Sequence, residues 1–234
     1  GDIFLALEVV EPIGYDLDGL KNMYSFAGQA VPSSLMARIF HQLVSALKHM
    51  HRKGIIHRDL KTENILINEK HEAKVIDMGI ACKVGTRDTL RAGYLAPELC
   101  EGRQPLSPKV DAWGLGIILH QVYQNQWKVL TEAGPVKILP GKPSDVRPME
   151  KPVREAMCGL LQLSPSSRWG LGQLLECEWL DHPVSPEASQ GWNKIAVGDD
   201  VERRYLRRYV SNKPLPTALA VFISVKNHAH LIGK

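Results

Sequence analysis

The stretch "GIIHRDLKTENILI", residues 54–67, constrains this chain more than any other. A histidine, an arginine, an aspartate, a lysine and an asparagine fall within eight positions, between two short apolar runs. Charge is expensive to bury unless it is paired, while isoleucine and leucine runs call for burial. Both demands are met by a tight polar loop anchored by a short strand at each end. A second carboxylate, Asp77, closes the next apolar run, "AKVID", and Gly79 follows it. Pairing "ILIN" with "AKVID" as a hairpin brings Asp77 near Asn64.

Elsewhere the period of the pattern changes. "IFLALEVV" (3–10) reads as a buried strand, and "EPIGYDLDG" as a loop broken by Pro12 and Gly14. Met36, Ile39, Phe40, Leu43, Val44, Leu47 and Met50 recur at helical spacing. Ser33 or Ser34 is expected to cap that helix, with Pro32 just outside it and Gly54 ending it behind His51-Arg52-Lys53. The polar, glycine-dotted stretch from Gly79 to Pro97 reads as one long loop. "VDAWGLGIILHQVY", "PVREAMCGLLQL" and "GLGQLLECEWL" read as helices, and the proline-rich 128–150 as irregular chain. In the tail a helix at 200–210 and a strand at 219–225 are expected. The two GLG triplets, at 114–116 and 170–172, fall inside predicted helices, which would occupy the amides a phosphate loop needs. The fold class expected is α+β, mainly helical, with short β-hairpins at a cleft.

With 234 residues, 44% of them hydrophobic, the chain can build one domain with a substantial core. Its net charge of +4 is unevenly spread. Up to Val184 there are 21 Lys/Arg against 21 Asp/Glu, whereas Ser185 to Lys234 holds 8 against 4, largely in "ERRYLRRY". That basic tail has two readings: a helix facing solvent, or a contact with an acidic partner or membrane surface. Cys82, Cys100, Cys158 and Cys177 have neither C-x-x-C nor zinc spacing. "ALAVFISV" is too short to span a bilayer as a helix. Reduced cysteines, a cytoplasmic location and no nucleic-acid partner are the expectations.

The charged cluster suits a magnesium-phosphate reaction. Hard Mg²⁺ prefers oxygen ligands, which Asn64 and Asp77 supply. Lys61 can neutralise a transferred phosphoryl group, and Asp59 can accept the proton of an incoming hydroxyl. The alternative is a buried ion-pair network without catalysis.

"HRDLKTEN" resembles H-R-D-L-x-x-x-N, the catalytic loop of eukaryotic protein kinases. Asp77-Met78-Gly79 is similar to that family's D-F-G, and Ala96-Pro97-Glu98 to its A-P-E. "DAWGLG" resembles the D-x-W-x-x-G of the family's central helix, and Arg168 in "SPSSRWG" its late arginine. The resemblance implies Asp59 and Lys61 as catalytic residues, and Asn64 and Asp77 as metal ligands. It implies ATP and Mg²⁺ as cofactors and the Ser/Thr hydroxyls of a protein as acceptor, the latter from Lys61. Leu7, Glu8, Val10, Glu63 and Leu66 would then contact the nucleotide. His57, Arg58 and Asp111 would support the loop, and Glu98 would pair with Arg168. Thr86 and Thr89 would be candidates for a phosphate received by Arg58, with Asp88 a weak mimic of it.

The resemblance covers Phe4 to Asp181, and implies a kinase domain over 1–183, as hinge strand plus C-terminal lobe, and a basic extension over 184–234. G-x-G-x-x-G, the V-A-I-K lysine and its glutamate partner are absent. The expectation is therefore a piece of a longer kinase, inefficient by itself; the alternative is a non-catalytic binding module of the same fold. In "LRAGYLAPE", Arg91 stands where the family has threonine, and an arginine cannot accept a hydrogen bond from Lys61.

Overall fold

The computed structural model describes residues 15–68, 70–90, 95–102, 104–123 and 149–181. The expected strand at 3–10, with Leu7, Glu8 and Val10, lies outside these residues. So do Arg91, residues 124–148 and the tail from 182 onward.

A two-residue strand, β1 (Tyr15–Asp16), leads directly into helix α1 (Leu17–Phe26). The loop expected over "EPIGYDLDG" is corrected by these two elements. The Asp16 carboxylate accepts the Gly19 N–H at 2.6 Å and caps the helix. Leu17, Leu20 and Tyr24 then share one buried face. Helix α2 (Ser33–Arg52) carries the long apolar stripe, and Leu35, Met36, Ile39, Phe40, Leu43, Val44 and Leu47 are all buried. Each such burial contributes roughly 1.5–3 kcal/mol. The cap differs from expectation. Pro32 occupies the N-cap, and the Ser33 hydroxyl donates instead to Glu150, 2.7 Å away and far along the chain. At the other end Gly54 adopts φ +73°, and its N–H returns to the His51 carbonyl at 2.9 Å.

Four short strands follow: β2 (Ile55–Ile56), β3 (Ile65–Ile67), β4 (Ala73–Val75) and β5 (Cys82–Lys83). Among the described residues they form two small antiparallel sheets, β1-β3-β4 and β2-β5. The β3–β4 hairpin pairs Ile65 with Val75, Leu66 with Lys74 and Ile67 with Ala73. Strand β5 falls within the stretch read as one long loop, and pairs Cys82 with Ile56 and Lys83 with Ile55. Two residues carry too little pattern to announce a strand, and the partner lies far back in sequence.

Helix α3 (Pro97–Glu101) is short, and α4 (Lys109–Tyr123) is buried from Val110 to its end. Gly114 and Gly116 belong to α4, where a Cβ would press on Leu60 in one case and on Leu160 and Leu161 in the other. Helix α5 (Lys151–Leu160) packs on α4. "GLGQLLECEWL" forms two helices rather than one, α6 (Leu171–Leu175) and α7 (Glu178–Asp181), and Gly170 precedes α6 instead of lying within a helix. The second turn serves Trp179, whose ring meets Phe40 at 5.1 Å between centroids and whose N–H donates to the Ser33 carbonyl. Among the described residues no helix is long and apolar enough to cross a membrane.

Candidate active site

The loop between β2 and β3 is held from below by Asp111, at the start of α4. One carboxylate oxygen accepts the His57 N–H at 3.0 Å, and the other accepts the Arg58 N–H at 2.9 Å. The His51 ring donates to the same carboxylate at 2.7 Å. Asp111 is 1% exposed, so three donors offset the desolvation of one buried charge. His51 escaped the sequence reading, which treated it as part of a basic helix end; its partner lies 60 residues away and leaves no local signature.

His57 joins the loop to the hairpin. Its Nδ1 lies 3.2 Å from the Asp59 N–H, which can only donate, so Nδ1 is the acceptor. Nε2 then carries the proton and donates to the Ile76 carbonyl at 3.0 Å. Arg58 adopts φ +71° and Asp77 φ +65°, left-handed values that cost about 1–3 kcal/mol each for non-glycine residues. One lies in the β2–β3 loop and the other just after β4, and at both the backbone is held by its surroundings.

Asp59, Lys61 and Asn64 meet. Lys61 has extended backbone, so the side chains at 59 and 61 share a side, and Lys61 Nζ lies 2.7 Å from Asp59 Oδ2. A 3-10 turn (Thr62–Asn64) then folds the chain back. Asn64 Nδ2 donates to the Asp59 carbonyl at 2.8 Å and to Asp59 Oδ2 at 2.9 Å. Both amide hydrogens are thus spent on Asp59, and the carboxamide oxygen is the atom suited to a cation. The hairpin brings Asp77 to the same end, because the Ile76 N–H donates to the Asn64 carbonyl at 3.0 Å. Asp77 is exposed and accepts the Gly79 N–H at 3.1 Å. Met78 beside it is 48% exposed, so among the described residues it does not fill an apolar socket.

The donors fit Mg²⁺ in one particular manner. Among the described residues no cluster of three or more His, Cys, Asp or Glu side chains could cage an ion. One carboxylate and one carboxamide oxygen match Mg²⁺ shared with water and phosphate oxygens. Glu63 is exposed, with its carboxylate 3.1 Å from the Thr62 hydroxyl. Leu66 is half-buried in the centre of β3, opposite both Asp16 and Lys74.

Arg58 and Arg168 extend the site in different directions. The Arg58 guanidinium donates to the Ile80 carbonyl and, at 3.0 Å, to the Asp88 carboxylate. That hydrogen bond, then the Thr89 N–H, hold Asp88 below the usual carboxylate range. Thr86 is half-buried and Thr89 exposed in the same segment. Arg168, 1% exposed, grips Glu98 with two hydrogen bonds of 2.6 and 2.9 Å. Its other donors reach the carbonyls of Lys109, Gln162 and Leu163, and its plane lies 5.0 Å from the Trp113 ring centroid.

The family profile described as "Protein kinase domain" matches residues 2–180. The chain is 33% identical to the "Probable serine/threonine-protein kinase KIN1 homolog" of Encephalitozoon cuniculi, over 62% of this chain and 27% of that protein. It is 34% identical to testis-specific serine/threonine-protein kinase 5 of Mus musculus, over 68% of this chain and 47% of that protein. It is 40% identical to serine/threonine-protein kinase nekl-2 of Caenorhabditis elegans, over 40% of this chain and 28% of that protein. The chain thus spans between about a quarter and a half of the length of these curated relatives.

Proposed function

The chain belongs to the protein kinase family, and on that premise we propose that it transfers the γ-phosphoryl group of ATP to serine or threonine hydroxyls of a protein. The observation that carries this reading is the convergence of Lys61 and Asn64 on one oxygen of Asp59. Two donors on Oδ2 fix the carboxylate's orientation toward an incoming hydroxyl, whose proton Asp59 takes. Lys61, 2.7 Å from that oxygen, stands beside the acceptor and stabilises the negative charge of the phosphoryl group in flight. The Asn64 carboxamide oxygen and the Asp77 carboxylate hold Mg²⁺. Bound there, the ion supplies charge neutralisation on the phosphates and fixes their orientation. Asp111, through the His57 and Arg58 amides, keeps the loop rigid enough for such placement.

The described elements correspond in this reading to the C-terminal lobe of a kinase, with 1–183 as the kinase domain and 184–234 as a basic extension. Leu66 packs beneath the adenine, and Leu7, Glu8, Val10 and Glu63 complete the nucleotide site. Serine/threonine choice rests on Lys61 and on the names of the three relatives.

The test uses protein expressed from its complete gene, with γ-labelled ATP, Mg²⁺ and a panel of protein substrates. Label is expected on phosphoserine and phosphothreonine, and Asp77→Ala is expected to raise the Mg²⁺ concentration needed for half-maximal rate. Transfer confined to tyrosine, or a Mg²⁺ requirement that Asp77→Ala leaves unmoved, overturns the assignment.

A further inference from the structure

On the outer face of the β2–β5 sheet, exposed apolar and cationic side chains lie side by side. Ile55 and Lys83 stand directly opposite one another in the antiparallel register, so both side chains leave the sheet on the same side. The other side is the inner one, where Ile56 is fully buried in a cluster with Trp113 and Ile117, and Cys82 packs against it. The Val84 N–H donates to the Gly54 carbonyl at 2.8 Å and carries the pairing one position further. That register sets Lys53, the residue before Gly54, two positions along from Lys83, with Val84 between them. Ile55 is 37% exposed and Val84 44%, so apolar surface that burial would stabilise is left in water. Arg52, Lys53 and Lys83 are exposed, and none of the ion pairs among the described residues involves them. A place at the end of α2 gives Arg52 and Lys53 a structural reason for their charge. Lys83 has no such reason, because it stands on a strand.

From this face we propose that β2 and β5 form a docking surface for an acidic, extended segment of a partner protein, with carboxylates and β-branched apolar residues sharing one side. The inference goes beyond phosphoryl transfer and does not rest on it. The layout selects the occupant. Unpaired cations call for carboxylates, and the exposed Ile55 and Val84 call for an apolar side chain between them. An extended chain presents every second side chain to one face, roughly 6.5 Å apart, which is the step from the Lys83 position to the Lys53 position along the sheet. A peptide fits this face better than a lipid surface does. Its apolar residues are isoleucine and valine on a sheet, whereas membrane-surface faces present tryptophan, phenylalanine or leucine from a helix.

The test measures binding of a fluorescein-labelled synthetic peptide, repeats of Glu-Ser-Val-Ser, to protein from the complete gene by fluorescence anisotropy. Extended, this probe carries glutamate and valine on one face. Saturable binding is expected, weakening as salt rises. Lys53→Glu/Lys83→Glu should raise Kd about 10-fold, and Ile55→Thr/Val84→Thr about 3-fold. The same peptide with lysine in place of glutamate should not bind. The arginines of the 202–209 tail stay in place in every variant, so binding owed to them is unmoved by these substitutions. No saturable binding, or a Kd that Lys53→Glu/Lys83→Glu leaves unchanged, overturns the inference. Co-sedimentation with phosphatidylserine vesicles that this variant abolishes, with no binding of the peptide, overturns it too and assigns the face to a membrane surface. Thermal unfolding checks the fold of each variant, and Lys53→Gln/Lys83→Gln carries the test if the charge reversal fails to fold.

Discussion

Arg168 and Arg58 are both buried guanidiniums bound to a carboxylate, yet one carboxylate is inside the protein and the other stands open to water. Glu98 is 8% exposed, and Arg168 spends all five N–H donors on Glu98 and three carbonyls. Asp88 is about half-exposed and can be exchanged for solvent or for another anion. The first pair ties α3 to the turn before α6, and that tie belongs to the fold. The second ties an accessible segment to Arg58, the chain neighbour of Asp59. Two ion pairs with similar contact distances can thus hold very different parts of the free energy, and the exposure of the partner decides which.

The largest effect should come from breaking the inner pair. Glu98→Gln leaves Arg168 charged and buried, and about 3–5 kcal/mol of stability should be lost in denaturant unfolding. Replacing both residues, as Glu98→Leu with Arg168→Met, should recover much of that loss, since no unpaired charge remains. A Glu98→Gln midpoint shift no larger than that of Asp88→Asn would erase the contrast between the pairs.

A smaller loss, roughly 1–2 kcal/mol, is expected for Gly102→Ala. Gly102 closes α3 at φ +64°, and an added Cβ would collide with the Thr89 methyl group. Because Thr89 adjoins Asp88, this variant also tests whether the seating of the outer segment depends on the end of α3. Its transfer rate should fall along with its stability, and an unchanged rate would uncouple the two regions.

The smallest effect concerns pH. Burial lowers His120 below its ordinary value of 6.5, and His71 is lowered by burial and then by Arg38. The unfolded chain therefore takes up these protons before the folded one does. Stability that is present above 6.5 is lost as pH falls from there through the depressed folded values. His120→Gln should flatten that acid limb in urea titrations. An acid limb unchanged by the substitution would move the origin of the effect elsewhere.

Much of this was legible in the sequence, for identifiable reasons. Helices α2, α4 and α5 carry long runs of pattern, and the β3–β4 hairpin is local. The polar cluster at 57–64 announced itself because so many charged groups have no reason to sit between apolar strands. Features that depend on distant partners were hidden. Ser33 is diverted from capping by Glu150, β5 exists only through β2, and His51 finds its role in Asp111. Helix α1 was missed for another reason. Its Asp16 cap and its Leu17, Leu20, Tyr24 face are present in sequence, but Pro12, Gly14 and Gly19 mask them. The break between α6 and α7 likewise follows from where Trp179 meets Phe40, which no periodicity encodes.

Single-turnover phosphoryl transfer from pre-bound ATP, in wild type and Asp59→Asn, separates chemistry from nucleotide binding. The variant should bind ATP with near wild-type affinity and transfer phosphate at least about 100-fold more slowly. Equal transfer rates in the two proteins would contradict a proton-accepting role for the Asp59 carboxylate, on whose Oδ2 Lys61 and Asn64 converge.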